Sequence, residues 1–225
     1  LDYKNAEFWY LRAIAQNDIE SMEDLAFIYA SEEESPGIIN SRYNPDKAFQ
    51  LLVRAKDSGS TTYHYDLSYL YKYGLGVKKN IEKSISLLQE MLELPDLSRN
   101  NKELALVTMM WTYIANNIYD DKEVSRAMNF LIDSAKNGNS KTQTRLAELY
   151  LDERFKYFDE NEGIYWLEQA KKSSFHANIL LSEIYFSSDY NFDKYGESLL
   201  NAIDLHESGA STDYISESSL VNVYQ

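Results

Sequence analysis

The sequence contains no cysteine. That absence excludes a disulfide framework, thiolate zinc sites, iron–sulfur clusters and a cysteine nucleophile in one step. Histidine occurs only at His64, His176 and His206, far apart and outside any His-Glu-X-X-His pattern. These three are read as solvated or capping residues, and no metal site is expected. Proline occurs three times, at 36, 45 and 95, and glycine eight times in 225 residues. So few helix breakers favour helix throughout. Long apolar runs are missing as well. The longest, Leu104 to Ala115, is interrupted by Thr108 and Thr112. It falls short of the ~20 residues a membrane span needs and reads as a buried helix. Positive charge is in deficit, with 22 Lys+Arg against 36 Asp+Glu and a net charge of −14. Such a surface repels phosphate backbones, so nucleic acid is excluded as a partner.

Reactive constellations are absent too. Gly74-Leu75-Gly76 lacks the third glycine and the Gly-Lys-Ser/Thr ending of a phosphate loop. No serine sits in a nucleophile elbow. Asp120-Asp121 and Asp159-Glu160-Asn161-Glu162 do not match a calcium loop. They fall between helical segments, where carboxylates serve the next helix N-terminus. The chain is therefore read as a non-enzyme with no cofactor. Its 17 asparagines include no Asn-X-Ser/Thr acceptor, which tells against a eukaryotic secretory lumen and leaves a bacterial periplasmic, secreted or cytoplasmic location. Leu1-Asp2-Tyr3-Lys4 leads straight into an amphipathic pattern, and the chain stops at Tyr224-Gln225 just after an apolar run. A piece of a longer protein is expected.

What is present is a globular composition, 44% hydrophobic and 26% charged, with 19 tyrosines. Asn44-Pro45-Asp46 has the form of an N-cap, a proline at the first helical position and an acid facing the positive end of the helix dipole. Pro95 stops the segment before it, and Gly59 and Gly138 close two others. Residues 31–43, with Pro36-Gly37, read as a long loop.

A pattern Leu-small-X-aliphatic-Tyr recurs along the chain. It appears at Leu25–Tyr29, Leu67–Tyr71, Leu146–Tyr150, Leu181–Tyr185 and Leu220–Tyr224, with a degenerate copy at Val107–Trp111. The closing aromatics stand 35 to 42 residues apart. A second pattern alternates with it. Ala48, Leu51, Leu52, Ala55 and Gly59 occupy offsets 0, 3, 4, 7 and 11, matched by Ala6 to Asn17, Ala127 to Gly138 and Gly163 to Ser174. Offsets 3, 4 and 7 lie on one helical face, and small residues at 0 and 7 admit a close neighbour. The spacing predicts a helix pair repeated about every 40 residues, an all-α fold in which stacked antiparallel pairs bury what one pair cannot.

Tyr71-Lys72-Tyr73-Gly74-Leu75-Gly76-Val77-Lys78-Lys79-Asn80 resembles the signature turn of the Sel-one-like repeats (SLR), relatives of the tetratricopeptide repeats. In that family an A-helix ends in the leucine–tyrosine motif, a Gly-X-Gly-Val turn follows, and a B-helix carries paired small residues. The resemblance implies a right-handed α/α superhelix of about twelve helices. Its parts would be a lone B-helix over 4–17, repeats over about 19–59, 61–95, 101–138, 140–174 and 175–209, and a lone A-helix over about 212–225.

The resemblance also implies a function. Relatives hold other proteins together, and A-helices line a concave groove. The slots two before, two after and six after the motif leucine place Tyr65, Tyr69 and Tyr73 in that groove. They add Phe27 from the first repeat and Met109 and Tyr113 from the third. In the fourth repeat the slots turn polar, with Thr144, Glu148 and Asp152. The expectation is an interaction scaffold that binds a neutral or basic protein or peptide through these six residues. Self-association through end helices without polar caps is also expected. The alternative is a polysaccharide-binding scaffold that uses the same aromatics as stacking faces. Tyr29, Tyr71, Tyr150 and Tyr185 are assigned to packing, with the hydroxyl at the rim.

Overall fold

A computed structural model describes residues 3–35, 38–118, 120–187 and 191–210. The helix expected over 212–225 lies outside the described residues. Among the described residues eleven helices follow one another: α1 (Tyr3–Ile14), α2 (Ile19–Ala30), α3 (Pro45–Asp57), α4 (Tyr63–Tyr73), α5 (Ile81–Leu92), α6 (Arg99–Asn116), α7 (Asp121–Lys136), α8 (Ser140–Leu151), α9 (Glu160–Ala170), α10 (Phe175–Ser187) and α11 (Phe192–Glu207). The chain is all-α apart from a two-stranded antiparallel ladder, β1 (Glu33–Ser35) with β2 (Ile38–Ile39). Among the described residues no helix is long and apolar enough to cross a membrane.

Local chemistry sets where the helices begin. α2, α3, α5, α7, α8, α9 and α11 each start behind an Asp or Asn whose side chain accepts a backbone N–H of the first turn. Such caps contribute about 1 kcal/mol each. Asn44 caps α3 through the N–H of Lys47, with Pro45 as the first helical residue. The acidic clusters act in this way: Asp120 accepts from Lys122 and Glu123, and Asp159 from Asn161 and Glu162.

The 31–43 segment differs from the loop read in the sequence. Besides its ladder it is fastened by Asn40, which is buried. The Asn40 amide donates to the carbonyls of Ile28 (2.6 Å) and Ser31 (2.7 Å), and its oxygen accepts the N–H of Arg42 (2.7 Å). A single asparagine thus satisfies two carbonyls around the end of α2, a role that hydrophobic periodicity does not reveal.

The chain forms two compact units, Leu1–Thr112 and Tyr113–Gln225, divided within α6. In the first, α2 pairs with α3 and α4 with α5, while α1 packs on α2 and α3 on α4. The core runs through Met22, Leu25, Leu52, Leu67, Leu70 and Leu87. In the second, α8 pairs with α9 and α10 with α11, and α7 packs on α8. Leu131, Leu146, Leu149, Leu167 and Phe175 are buried there.

The repeated motifs carry these contacts. Small residues at offsets 0 and 7 are buried: Ala48 and Ala55, Ala127 and Ser134, Gly163 and Ala170. A Cβ on Gly163 would press to 2.5 Å from Leu151 Cγ, so with any other residue the Leu151 side chain would have to shift for α9 to lie this close to α8. Tyr29 and Tyr185, the motif tyrosines, are buried with their hydroxyls donating to Glu7 (2.6 Å) and Glu168 (2.7 Å). His64, read as solvated or capping, is not solvated: its Nδ1 lies 3.1 Å from the Thr61 carbonyl oxygen at the start of α4. It is buried and stacked on the ring of Tyr63, centroids 4.0 Å apart.

Candidate functional site

A partly enclosed aromatic surface of the first unit lies between α2 and α4. On α2 the core takes Met22, Leu25, Ala26 and Tyr29, a stripe that leaves Phe27 on the opposite side, 64% exposed. On α4 the core takes Tyr63, Leu67 and Leu70. Tyr65, Tyr69 and Tyr73, four residues apart, share the other face. Tyr69 is 42% exposed. A cleft of about 400 Å³ opens there, walled by Phe27, Ala30, Tyr65 and Tyr69, floored by Leu52, Leu70 and Leu75, and reached by Asp66 and Glu32.

Of the six residues expected to bind a partner, the structure brings Phe27, Tyr65 and Tyr69 into one cleft. Tyr73 stands beside it, exposed and tilted against Tyr69 at 4.7 Å between centroids. Met109 and Tyr113 correct the expectation. They are 0% and 3% exposed and offer nothing to a partner. The reason lies in α6 itself, where Ala105, Leu106 and Val107, then Thr112, Tyr113 and Ile114, are buried in succession. The stripe that α6 leaves partly open runs through Leu104, Thr108, Trp111 and Ala115, so the slots counted from the degenerate motif fall on its buried side.

The cleft is electronegative. Glu23 accepts from Thr62 Oγ1 at 2.7 Å and from the Ser60 hydroxyl. Burial raises the Tyr69 phenol above its ordinary value, and Tyr73, Glu32, Tyr65 and Tyr43 add to it. Asp66 is the anomaly. Its carboxylate has no hydrogen bond or ion pair with any described residue, and burial, helped by Glu23, pushes its pKa up to about 6. The sign follows by linkage. Between about pH 4 and pH 6 the folded chain keeps this proton while the unfolded chain has lost it, so through this group stability falls as pH rises across that window.

The corresponding slots of the fourth repeat, in the second unit, are spent internally. Thr144 is buried and donates to Ser140 O at 2.9 Å. Glu148 meets His176 Nε2 at 2.8 Å, and Asp152 takes the Arg154 guanidinium at 2.9 and 2.6 Å. That unit has a different cleft, of about 890 Å³, with Met128, Ile132, Tyr150, Tyr157, Phe158, Tyr165 and Trp166 in its wall. Sequence reasoning did not single it out. Tyr157-Phe158 lie in a loop with no periodicity, and Tyr165 stands outside the motif offsets. Among the described residues no group of three or more His, Asp or Glu could hold a metal ion.

Comparison with known proteins agrees with the helix-pair architecture. The chain covers 80% of a Sel1 repeat protein from Oxalobacter formigenes, which covers 92% of it in return, at 21% identity and a TM-score of 0.57. A protective antigen of uropathogenic Escherichia coli strains, displaying an SLR fold, aligns with 96% of the chain at 21% identity and a TM-score of 0.56. The chain spans only 46% of that antigen's length. An immunity protein from Pseudomonas aeruginosa aligns with 95% of the chain and is covered to 76%, at 15% identity and a TM-score of 0.50. At these identities the likeness shows the fold. No curated protein matches the chain. The family model of the Sel1 repeat matches residues 2–18, 19–60, 63–96 and 140–174. Sel1 repeat proteins are in general protein-interaction scaffolds. With more than half its residues matched by that model, the chain belongs to the Sel1 repeat family.

Proposed function

We propose that the chain is a non-catalytic interaction module that binds a neutral or basic protein segment in the cleft between α2 and α4. One observation carries this reading. Phe27, Tyr65 and Tyr69 converge on a single depression while Phe27 and Tyr69 stay exposed. Apolar side chains held out of the core forgo about 1.5–3 kcal/mol each of burial, and contiguous exposed aromatics mark binding surfaces. Aromatic anchors in a pocket are what protein interfaces use as hot spots. The net charge of −14 and the acids of the cleft, Glu32 and Asp66, with Glu23 acting on Asp66 from beside it, disfavour an anionic partner.

Peptides selected from a random displayed library on the immobilised chain provide the test, their affinities then measured by fluorescence anisotropy. Phe27→Ala with Tyr69→Ala is expected to weaken the best peptides about thirtyfold, near 2 kcal/mol. Melting should stay within about 3 °C of the parent, since both side chains are exposed. Full binding by the double variant would overturn the reading.

A further inference from the structure

The Asp66 carboxylate calls for an explanation that the fold does not supply. It lies in the first turn of α4, projects into the cleft, and finds no partner there. A charged group enclosed without a partner weakens the fold, and a position that keeps one is a candidate for a ligand's counter-charge. The surroundings narrow that ligand. From α2 the cleft receives Phe27 and Ala30; from the segment after it, Glu32; from α3 only Leu52; from the turn after α4 only Leu75. Glu23 is the charge acting on Asp66. Glu90 of α5 acts instead on Tyr63. No lysine or arginine lines the cleft.

We infer that the cleft is an arginine-binding subsite, in which Asp66 takes the guanidinium of a partner segment while Tyr65, Tyr69 and Phe27 flank it. This rests on the reading of the cleft as the partner site and adds what the partner must carry. A guanidinium suits the place better than an ammonium. It is planar, stacks on aromatic faces and gives a carboxylate two parallel donors. The enclosed setting strengthens that pairing relative to a surface ion pair.

The inference also fixes a pH response. Asp66 must be ionised to bind, and burial keeps its proton on to unusually high pH, so affinity should fall on mild acidification while arginine keeps its charge. The probes are Nα-acetylarginine amide and its neutral isostere Nα-acetylcitrulline amide. Both are titrated into the 225-residue chain and followed by amide chemical shifts. At about pH 7.5 the arginine compound should shift the signals of Phe27, Asp66 and Tyr69 saturably, and citrulline at least about fivefold more weakly. Asp66→Asn should weaken arginine about fivefold or more, and acidification to about pH 5 about tenfold. The variant should lose that pH dependence and melt no lower than the parent, since it removes a charge that burial disfavours. Equal binding of the two compounds, or unchanged arginine binding by Asp66→Asn, would overturn the inference. The two readings fail separately. If selected peptides lose affinity in the Phe27/Tyr69 variant but tolerate citrulline and Asp66→Asn, the cleft stands and the arginine subsite falls.

Discussion

Gly76→Ala should lower the melting temperature by about 10 °C or more, far beyond the effect of Gly59→Ala. Both glycines have positive φ, +65° and +94°, so each substitution carries the backbone cost of a left-handed alanine, about 1–2 kcal/mol. Around Gly59 a new methyl meets nothing within 4 Å. At Gly76 it would land on the carbonyl of Pro45 and 2.7 Å from the N–H nitrogen of Asp46. The obstacle is backbone at the start of α3, which cannot swing aside as a side chain would. Relief requires the turn between α4 and α5 to lift off α3, and overpacking of this kind costs about 1–3 kcal/mol more. For a chain of this length each kcal/mol is about 2–4 °C. Thermal melts of the two variants side by side isolate the close approach, and a difference under about 3 °C would remove it from the account. The Gly-X-Gly turn is thus a docking element. Its second glycine seats the turn on the preceding B-helix, and Leu75 between the two glycines helps floor the cleft.

Met109→Glu should unfold the first unit or lower its melting temperature by at least about 10 °C, while Tyr69→Glu should cost little. Glutamate is a good helix former, so the difference reports burial rather than propensity. Met109 is 0% exposed. A carboxylate there must be desolvated without a partner or take up a proton, and either route costs on the order of 4 kcal/mol. Circular dichroism at about pH 7.5 distinguishes the outcomes. A Met109→Glu variant as stable as Tyr69→Glu would return Met109 to the surface, where slot counting placed it.

These two residues show what the sequence makes legible. Helix pairs, caps and small-residue contacts arise from local periodicity and spacing. For that reason Asn44-Pro45, Asp120, Asp159 and the motif tyrosines could be assigned before any coordinates. The groove slots follow from the same periodicity only where a helix has one buried face. α2 and α4 do, and Phe27, Tyr65 and Tyr69 share a cleft. In α6 the partly open stripe is narrow and runs through Leu104, Thr108 and Trp111 instead, and Met109 and Tyr113 are buried. The signal was present in the apolar run Leu104 to Ala115, broken only by Thr108 and Thr112, which marks a helix buried over most of its circumference. Asp66 was not legible. In sequence it is one acid among 36 Asp+Glu, and its isolation depends on which side chains from α2 and α3 surround it. The aromatic cleft of the second unit is hidden for a similar reason, since loop residues and off-motif positions build it together.

The cleft between α2 and α4 is the surface proposed to meet a partner. The most direct measurement is the map of amide and aromatic chemical-shift changes when a library-selected peptide saturates the isotope-labelled chain. The account predicts changes concentrated on Phe27, Ala30, Glu32, Tyr65, Asp66 and Tyr69, with Tyr157, Tyr165 and the rest of the second unit's aromatic cleft unmoved. Shifts centred on Tyr157, Phe158 and Tyr165, with Phe27 and Tyr69 unchanged, would contradict it.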